Sequence, residues 1–199
     1  YENEQFTQWG PEQGLANGRV YDFDQGPDGS LWFATLGGIS RWYAGEWEHW
    51  SAAQGLAATR TFAIEVDRQN RVWFGHQSGH GLGVLEPESG MTPRYIKTEN
   101  GLAGNSVMSL AEDSRGWIWA TTASGLSLVR EGATSSFDAA RGLPHEHLWP
   151  VYAEEDRILI GTLGRGITIL DLRTLDRTPP RLELSRPFVD GNTVHVEWT

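Results

Sequence analysis

The sequence predicts an all-β protein built from β-propeller blades, and three observations lead to this fold class. Its 199 residues include 10 tryptophans and 24 glycines, a composition typical of short aromatic strands joined by tight turns. A Gly-Leu pair recurs four times, at intervals of 41, 46 and 41 residues. Each copy contains several short apolar runs, and a repeat of this length with four strands per copy is typical of propeller blades. The glycines of the four pairs, which we expect to be structural, are Gly14, Gly55, Gly101 and Gly142.

The third copy shows the repeated unit most clearly. Its turn between strands a and b begins at Asp113, which can bond nearby backbone, and ends at Gly116, which can supply a positive φ. We expect its strands a, b, c and d at about 107–112, 117–122, 126–130 and 135–138. The four copies lie near residues 10–50, 51–96, 97–137 and 138–172.

Strand b of the first three copies carries a tryptophan between apolar neighbours. A large ring contributes most to stability when it is buried between stacked sheets. We therefore predict that Trp32, Trp73 and Trp119 are structural core residues rather than platforms for a ligand.

The two ends of the repeat array leave two closures open. Residues 5–9 align with residues 46–50 and are predicted to form a surplus strand d, whereas the fourth copy stops after three strands. The surplus strand either completes the fourth copy in a small closed ring or finishes a blade of a larger propeller. We favour an arc of a larger propeller over residues 1–177, because the copies show no adaptation to the tight curvature of four blades.

The composition excludes several classes of site and partner. The net charge is −10, and the chain has no cysteine, which excludes disulfides and thiolate metal sites. Lys97 is its only lysine, and no cluster of cations offers phosphate contacts, so we expect no nucleic-acid partner. No apolar run approaches the ~20 residues of a membrane span, so we expect no membrane contact by this segment.

The unit Gly-Leu-x-x-Asn-x-Val, Asp-x-x-Gly-x-x-Trp and Thr-x-x-Gly-Leu resembles the two-component regulator propeller repeat. Residues 101–126 carry nearly all of it, whereas the fourth copy has Leu148 and Leu159 in place of Val and Trp. The resemblance covers residues 1–172. It implies a periplasmic or extracellular sensor domain of a two-component or related receptor, with no catalytic role and no cofactor. Known inputs of such propellers include oligosaccharides, so the implied partner is a small-molecule or oligosaccharide ligand.

The tail over residues 178–199 is similar to the start of the β-sandwich that often follows such propellers. We expect residues 178–199 to form the start of such a β-sandwich or a C-terminal tail.

The candidate ligand-binding residues lie in the d–a and b–c connections. These loops converge around the central channel of a propeller, and loops on a rigid scaffold commonly carry binding. The copies differ most at these positions, which fits recognition of an asymmetric ligand. The candidates are Asn17, Arg19, Arg60, Asn105, His145 and His147 in d–a connections, with His76, His80 and Arg165 in b–c connections.

His145 and His147 also raise the question of a metal. In an extended segment, residues two apart face the same way, so the two rings could share an ion. Zinc needs at least a third protein ligand, and the sequence places none nearby. We therefore predict solvated loop histidines and no metal site.

Two other functions remain open from the sequence. One is a scaffold for protein partners, including a homodimer through the propeller faces. The other is a lyase of the streptogramin-lyase type, because residues 31–35 are similar to strands of those propellers. Such a lyase needs a histidine and a glutamate facing one another, and the sequence does not place that pair. No Gly-x-Ser-x-Gly nucleophile motif is present, so we expect no enzyme.

Overall fold

The computed structural model describes residues 6–131, 133–174, 188–190 and 193–195. In these residues the strands form four antiparallel sheets, which we call blades 1 to 4, and one separate hairpin. Within each blade the strands are hydrogen-bonded in chain order, so strand a is always followed by its neighbour b.

The strand bounds follow the repeat. Blade 1 contains β1 (Val20–Gln25), β2 (Leu31–Thr35), β3 (Gly38–Tyr43) and β4 (Glu46–Trp50). Blade 2 contains β5 (Ala63–Val66), β6 (Val72–Gly75), β7 (Leu82–Leu85) and β8 (Arg94–Ile96). Blade 3 contains β9 (Val107–Glu112), β10 (Ile118–Thr122), β11 (Gly125–Arg130) and β12 (Ala133–Phe137). Blade 4 contains β13 (Leu148–Ala153), β14 (Arg157–Thr162) and β15 (Gly166–Asp171).

Helical structure in the described part of the chain is confined to single 3₁₀ turns in the connections between strands. They span Pro11–Gln13, Ala52–Gln54, Pro87–Ser89, Thr98–Asn100, Ala139–Arg141 and Leu172–Thr174. No helix among the described residues has the length and apolar character needed to cross a membrane.

The blades follow one another along an arc. The inner strands lie side by side, with β1 next to β5, β5 next to β9, and β9 next to β13. In the part of the chain that the structure describes, the sheets do not close into a ring, so the predicted arc is confirmed. The strands predicted for the third copy begin and end within two residues of β9, β10, β11 and β12.

The hydrophobic core is divided among the three junctions between blades. Trp32 of blade 1 packs with Ile64 and Phe74 of blade 2. Trp73 lies in the cluster between blades 2 and 3, and Trp119 in the cluster between blades 3 and 4. Their exposed fractions are 3%, 4% and 0%. Each tryptophan therefore holds its sheet to the following one, because a buried ring contributes a large apolar area.

Polar side chains also join the inner strands. Strand a forms the inner edge of each sheet, so its amides that point away from strand b have no backbone partner within the sheet. A side chain of the preceding blade accepts a hydrogen bond from four of these amides. The pairs are Ile64 N to Asp22 Oδ2 at 3.0 Å, Val66 N to Asp24 Oδ2 at 2.7 Å, Glu112 N to Glu65 Oε1 at 2.9 Å and Val151 N to Ser109 Oγ at 3.3 Å.

The prediction of a strand over residues 5–9 is wrong for the residues that the structure describes. Its described part, residues 6–9, is not a strand. The Trp9 ring instead packs on Trp42 and Trp47 of blade 1, with centroid distances of 5.0 and 5.7 Å. A lone strand needs a partner edge for its backbone hydrogen bonds, whereas these ring contacts hold Trp9 against blade 1 without one. Among the described residues, blade 4 therefore has no fourth strand.

Most of the predicted tail, residues 178–199, lies outside the described residues. Its described part is the hairpin of β16 (Phe188–Asp190) and β17 (Thr193–His195), with β17 close to β15. A β-sandwich at this position stays a prediction.

Candidate functional site

The residue seven positions after each repeat glycine is large and apolar in every copy. These four residues, Tyr21, Phe62, Met108 and Trp149, stand at the start of the inner strands, and we call them the apolar collar. The Tyr21 and Phe62 rings are 5.2 Å apart, and the Phe62 and Trp149 rings 5.4 Å apart. The second contact joins blade 2 to blade 4, so the collar lies on the concave side of the arc.

Arg60 adds a cation to this collar. Its guanidinium carbon lies 5.2 Å from the centroid of the Tyr21 ring, a distance at which a cation is attracted to an aromatic face. Arg60 is exposed, so its remaining N–H groups can reach a ligand. Of the nine predicted loop residues, Arg60 is the one for which a contact with the collar is observed.

Two hydroxyl groups near the collar are unused. The Tyr21 hydroxyl and the Thr61 hydroxyl are buried and have no hydrogen-bond partner among the described residues. Aromatic walls with a few convergent polar groups are typical of small-molecule sites. Because these two hydroxyl groups are buried, the collar as it stands offers ring faces and a cation to a ligand.

His76 does not lie in the exposed loop site that the sequence predicted. Its side chain is fully buried, with Nδ1 3.0 Å from the Arg60 carbonyl oxygen and Nε2 3.4 Å from the Tyr95 hydroxyl. Burial lowers the pKa of His76 below its ordinary value, which favours the neutral ring. His76 therefore contacts the backbone carbonyl of Arg60 and does not face a ligand. His80 is half-buried, and its ring stands edge-on at 5.7 Å from that of His76.

The two predicted asparagines hold their own loops. Asn17 Oδ1 accepts a hydrogen bond from Arg19 N at 2.9 Å. Asn105 Oδ1 accepts one from Thr98 N at 3.0 Å, and its Nδ2 donates to Thr98 Oγ1 at 3.3 Å. These bonds are local side-chain-to-backbone contacts of the kind that asparagine makes in turns. Both amides therefore shape the d–a connections, and Arg19 remains exposed.

His145 and His147 lie together in the d–a connection that precedes β13. Their ring centroids are 5.7 Å apart, and His147 N donates to His145 Nδ1 at 3.1 Å. In the described part of the chain, no group of three or more His, Cys, Asp or Glu side chains is arranged to hold a metal ion. Arg165 is exposed in the turn between β14 and β15.

An acidic cluster lies along the inner strands. Burial raises the pKa of Glu65 to about 8, and the charges of Asp24, Glu112 and Asp22 act in the same direction. Glu65 is thus largely protonated at neutral pH, a state that can donate a proton. No histidine contact with Glu65 is observed among the described residues, so the pair that a propeller lyase needs is not assembled there.

Comparison with known proteins adds the fold family. The model of the family described as Two component regulator propeller matches residues 101–124. The extracellular domain described as that of the hybrid two component system BT3049 from B. thetaiotaomicron is 21% identical, with a TM-score of 0.71. The match covers 94% of this chain and 28% of that one. This chain is an arc of a β-propeller.

Other propellers match less closely. The extracellular domain of the BT4673 hybrid two component system from B. thetaiotaomicron is 18% identical, with a TM-score of 0.65, over 92% of this chain and 27% of that one. Virginiamycin B lyase from Staphylococcus aureus is 14% identical, with a TM-score of 0.55, over 90% and 62% of the two chains. No curated protein matches the sequence. At these identities the propeller structures show a shared fold and nothing about ligand or activity.

The collar could have been found from the sequence, because its signal is positional. A large apolar residue at the same offset in all four copies stands next to the channel of a propeller, where it is not needed for packing between blades. The collar residues are not among the predicted loop residues, because polar, variable loop positions select arginine, asparagine and histidine rather than aromatic residues.

Proposed function

We propose that this propeller arc is a ligand-sensing module of a bacterial two-component or related receptor, on the periplasmic or extracellular side. The matched repeat family and the two sensor domains of the same fold support this class. The apolar collar with Arg60 is the observation that carries the proposal, because it combines ring faces and a cation on the concave side.

The ligand is a small molecule, and an oligosaccharide fits the collar best. The three aromatic rings of Tyr21, Phe62 and Trp149 form a connected series with spacings of 5.2 and 5.4 Å. Sugar rings carry apolar C–H faces that pack on aromatic rings and hydroxyl groups that bond to polar side chains. Arg60 stands beside the first ring and can bond such hydroxyl groups.

Titration of the protein with a panel of neutral oligosaccharides, followed by thermal unfolding, tests this proposal. A ligand that binds only the native state raises the midpoint of unfolding. We expect at least one sugar to do so, and we expect the shift to be lost in Phe62→Ala and Trp149→Ala.

Phe23→Ala is the matched control, because Phe23 is an exposed aromatic residue on β1 outside the collar. It should retain the full shift. A panel in which no sugar raises the midpoint, or a shift that survives in both collar variants, would overturn the proposal.

A scaffold role is the second candidate, and exposed apolar side chains favour it. Phe23 of blade 1 is 69% exposed, and Tyr152 and Ile167 of blade 4 are 64% and 65% exposed. Large apolar side chains with this exposure can contribute to interaction surfaces. A homodimer through these surfaces predicts a concentration-dependent mass in light scattering, and Tyr152→Ser should reduce it.

A further inference from the structure

A groove separates blades 2 and 3 on the outer side of the arc. Its volume is about 860 Å³, within the range of about 300–1,000 Å³ that small-molecule sites occupy. Turns between strands a and b form one end of it, and strands β6, β8, β10 and β11 contribute to its walls. None of the collar residues or predicted loop residues lines this groove, so it is distinct from the proposed sensing site.

Arginines outnumber carboxylates in the lining of the groove, although the chain is acidic overall. Four arginines line it, together with two glutamates. Two of the arginines are neutralised, because Arg71 pairs with Asp67 at 2.5 Å and Arg94 pairs with Glu86 at 2.8 Å. The other two, Arg115 and Arg130, form no ion pair in the described part of the chain.

These two guanidinium groups are held by one indole ring. The guanidinium carbons of Arg115 and Arg130 each lie 5.2 Å from the centroid of the Trp117 ring. Arg115 Nη2 donates to the Leu172 carbonyl oxygen at 2.6 Å, whereas its Nη1 is buried without a partner. The Arg130 guanidinium has no hydrogen bond among the described residues. The Arg130 guanidinium therefore keeps donors that are positioned but unused, and Arg115 adds a second positive charge beside it.

We propose that this groove binds a small acid, in which a carboxylate or sulfate group is carried on a hydroxylated, ring-sized body. The planar guanidinium fork matches the paired oxygens of a carboxylate or sulfate. Stacking on Trp117 restricts both side chains before the ligand arrives, which lowers the entropy lost on binding. Gln69, Asn100 and Thr134 line the same groove and offer amide and hydroxyl groups to the body of the ligand.

Isothermal titration with three sugars of one size tests the site. D-Glucuronate carries a carboxylate, D-glucose 6-sulfate carries a sulfate, and D-glucose is the neutral counterpart. We expect the acids to bind at low salt, glucose not to bind in the groove, and binding to weaken as ionic strength rises. The ranking of the two acids identifies the preferred anion.

Arg130→Gln is the informative variant, because in the described residues the guanidinium contacts only the Trp117 ring. We expect it to weaken binding of the preferred acid by at least about tenfold, the effect of losing a charge-assisted hydrogen bond. Arg115→Gln should weaken it similarly. Arg157→Gln, which removes an exposed arginine of blade 4 that is paired with Glu154, should leave binding unchanged.

The outcome of the acid-binding test can be distinguished from the outcome of the oligosaccharide test of the sensing proposal. Phe62→Ala should leave acid binding intact, and Arg130→Gln should leave the shift caused by a neutral oligosaccharide intact. Failure of both acids to bind at millimolar concentration, equal binding of glucose, or wild-type affinity in both arginine variants would overturn the groove proposal.

Discussion

The indole N–H of Trp119 donates a hydrogen bond of 3.0 Å to the carboxylate of Asp113, which starts the turn before the same strand. Blade 2 repeats this pair, with Trp73 donating to Asp67 at 2.8 Å. Blade 4 has Glu154 and Leu159 at the equivalent positions, so it lacks both members. The turn aspartate and the core tryptophan therefore act as one unit, which fixes the a–b turn to the junction between blades.

Replacing Asp113 should destabilise the protein strongly. Its Oδ1 also accepts hydrogen bonds from Arg115 N at 2.9 Å and Trp117 N at 3.0 Å, so Asp113→Ala leaves a buried indole N–H and two turn amides without their acceptor. We expect the free energy of unfolding to fall by about 2–4 kcal/mol, measured by denaturant titration. Asp28→Ala is the control and should cost less, because Trp32 reaches Asp28 only through Ser30. Equal losses in the two variants would contradict the paired unit.

Two glycines at equivalent positions should respond differently to alanine. Gly125 has a φ of 133°, and an added Cβ would overlap the Phe137 carbonyl oxygen of the neighbouring strand β12. Gly166 has a φ of 80°, but its Cβ position is open, because in the described residues no fourth strand of blade 4 is hydrogen-bonded to β15. We expect Gly125→Ala to lower the free energy of unfolding by about 3 kcal/mol or more. Gly166→Ala should cost only about 1 kcal/mol of backbone strain, and thermal unfolding of both variants distinguishes these values.

Stability should fall as pH rises across neutrality, because of Glu65. Its pKa is about 8 in the folded chain, against an ordinary value of 4.5, so between these values the native state holds a proton that the unfolded state has released. The free energy of unfolding then decreases with pH and levels off above the folded pKa. We expect a loss of roughly 1–2 kcal/mol from pH 6.5 to 9, after allowing for solvent screening.

Glu65→Gln tests the assignment of this pH dependence. An amide cannot ionise, but its oxygen can still accept the hydrogen bond from Glu112 N, so the variant should lose less stability over the same pH range. Some slope should remain, since burial also raises the pKa values of Asp22 and Glu112. Glu131→Gln, an exposed change, should keep the wild-type slope. A Glu65→Gln variant with that same slope would show that another group is responsible.

Asp24 should protect one specific amide of the next blade. Val66 N donates to Asp24 Oδ2 at 2.7 Å, and among the described strands β5 pairs through its backbone only with β6, so no backbone carbonyl replaces the acceptor. In Asp24→Ala, we expect amide hydrogen exchange at Val66 to accelerate by at least about tenfold, the result of losing one net hydrogen bond to a charged group. The Ile64 amide, which is held by Asp22, is the internal control. Unchanged exchange at Val66 would show that the carboxylate does not protect it.

The strands and the core were predictable because both depend on local patterns. Apolar alternation and turn residues place β9 to β12, and the flanking apolar residues of Trp119 indicate a ring buried on both sides. Burial of His76 was not predictable, since it depends on Tyr95, a residue of another strand whose hydroxyl lies 3.4 Å from its Nε2. The prediction for segment 5–9 failed for a related reason, because Trp9 contacts rings of blade 1 and does not lie at a sheet edge.

The candidate sites were harder to predict from the sequence than the fold. The shared offset of the collar residues is visible in the sequence, but the contact between Phe62 and Trp149 across the arc is not, because it depends on how sharply the blades turn relative to one another. The groove required knowing that Arg115 and Arg130 share the Trp117 ring, although they belong to different strands. Spatial relations of this kind arise from the packing of whole blades and leave no spacing signal in a single sequence.

The carboxylate and hydroxyl acceptors of the inner strands stop at blade 4. Where blades 1 and 3 place Asp22 and Ser109, blade 4 has Pro150, and Tyr152 takes the position of Asp24. A sheet that packs beyond β13 therefore finds no acidic acceptor at these positions of blade 4. The outward-facing amides of its inner strand then need acceptors from their own strand. Blade 1 already has this property, because Phe23 N is held at 3.0 Å by the carboxylate of its own Asp22.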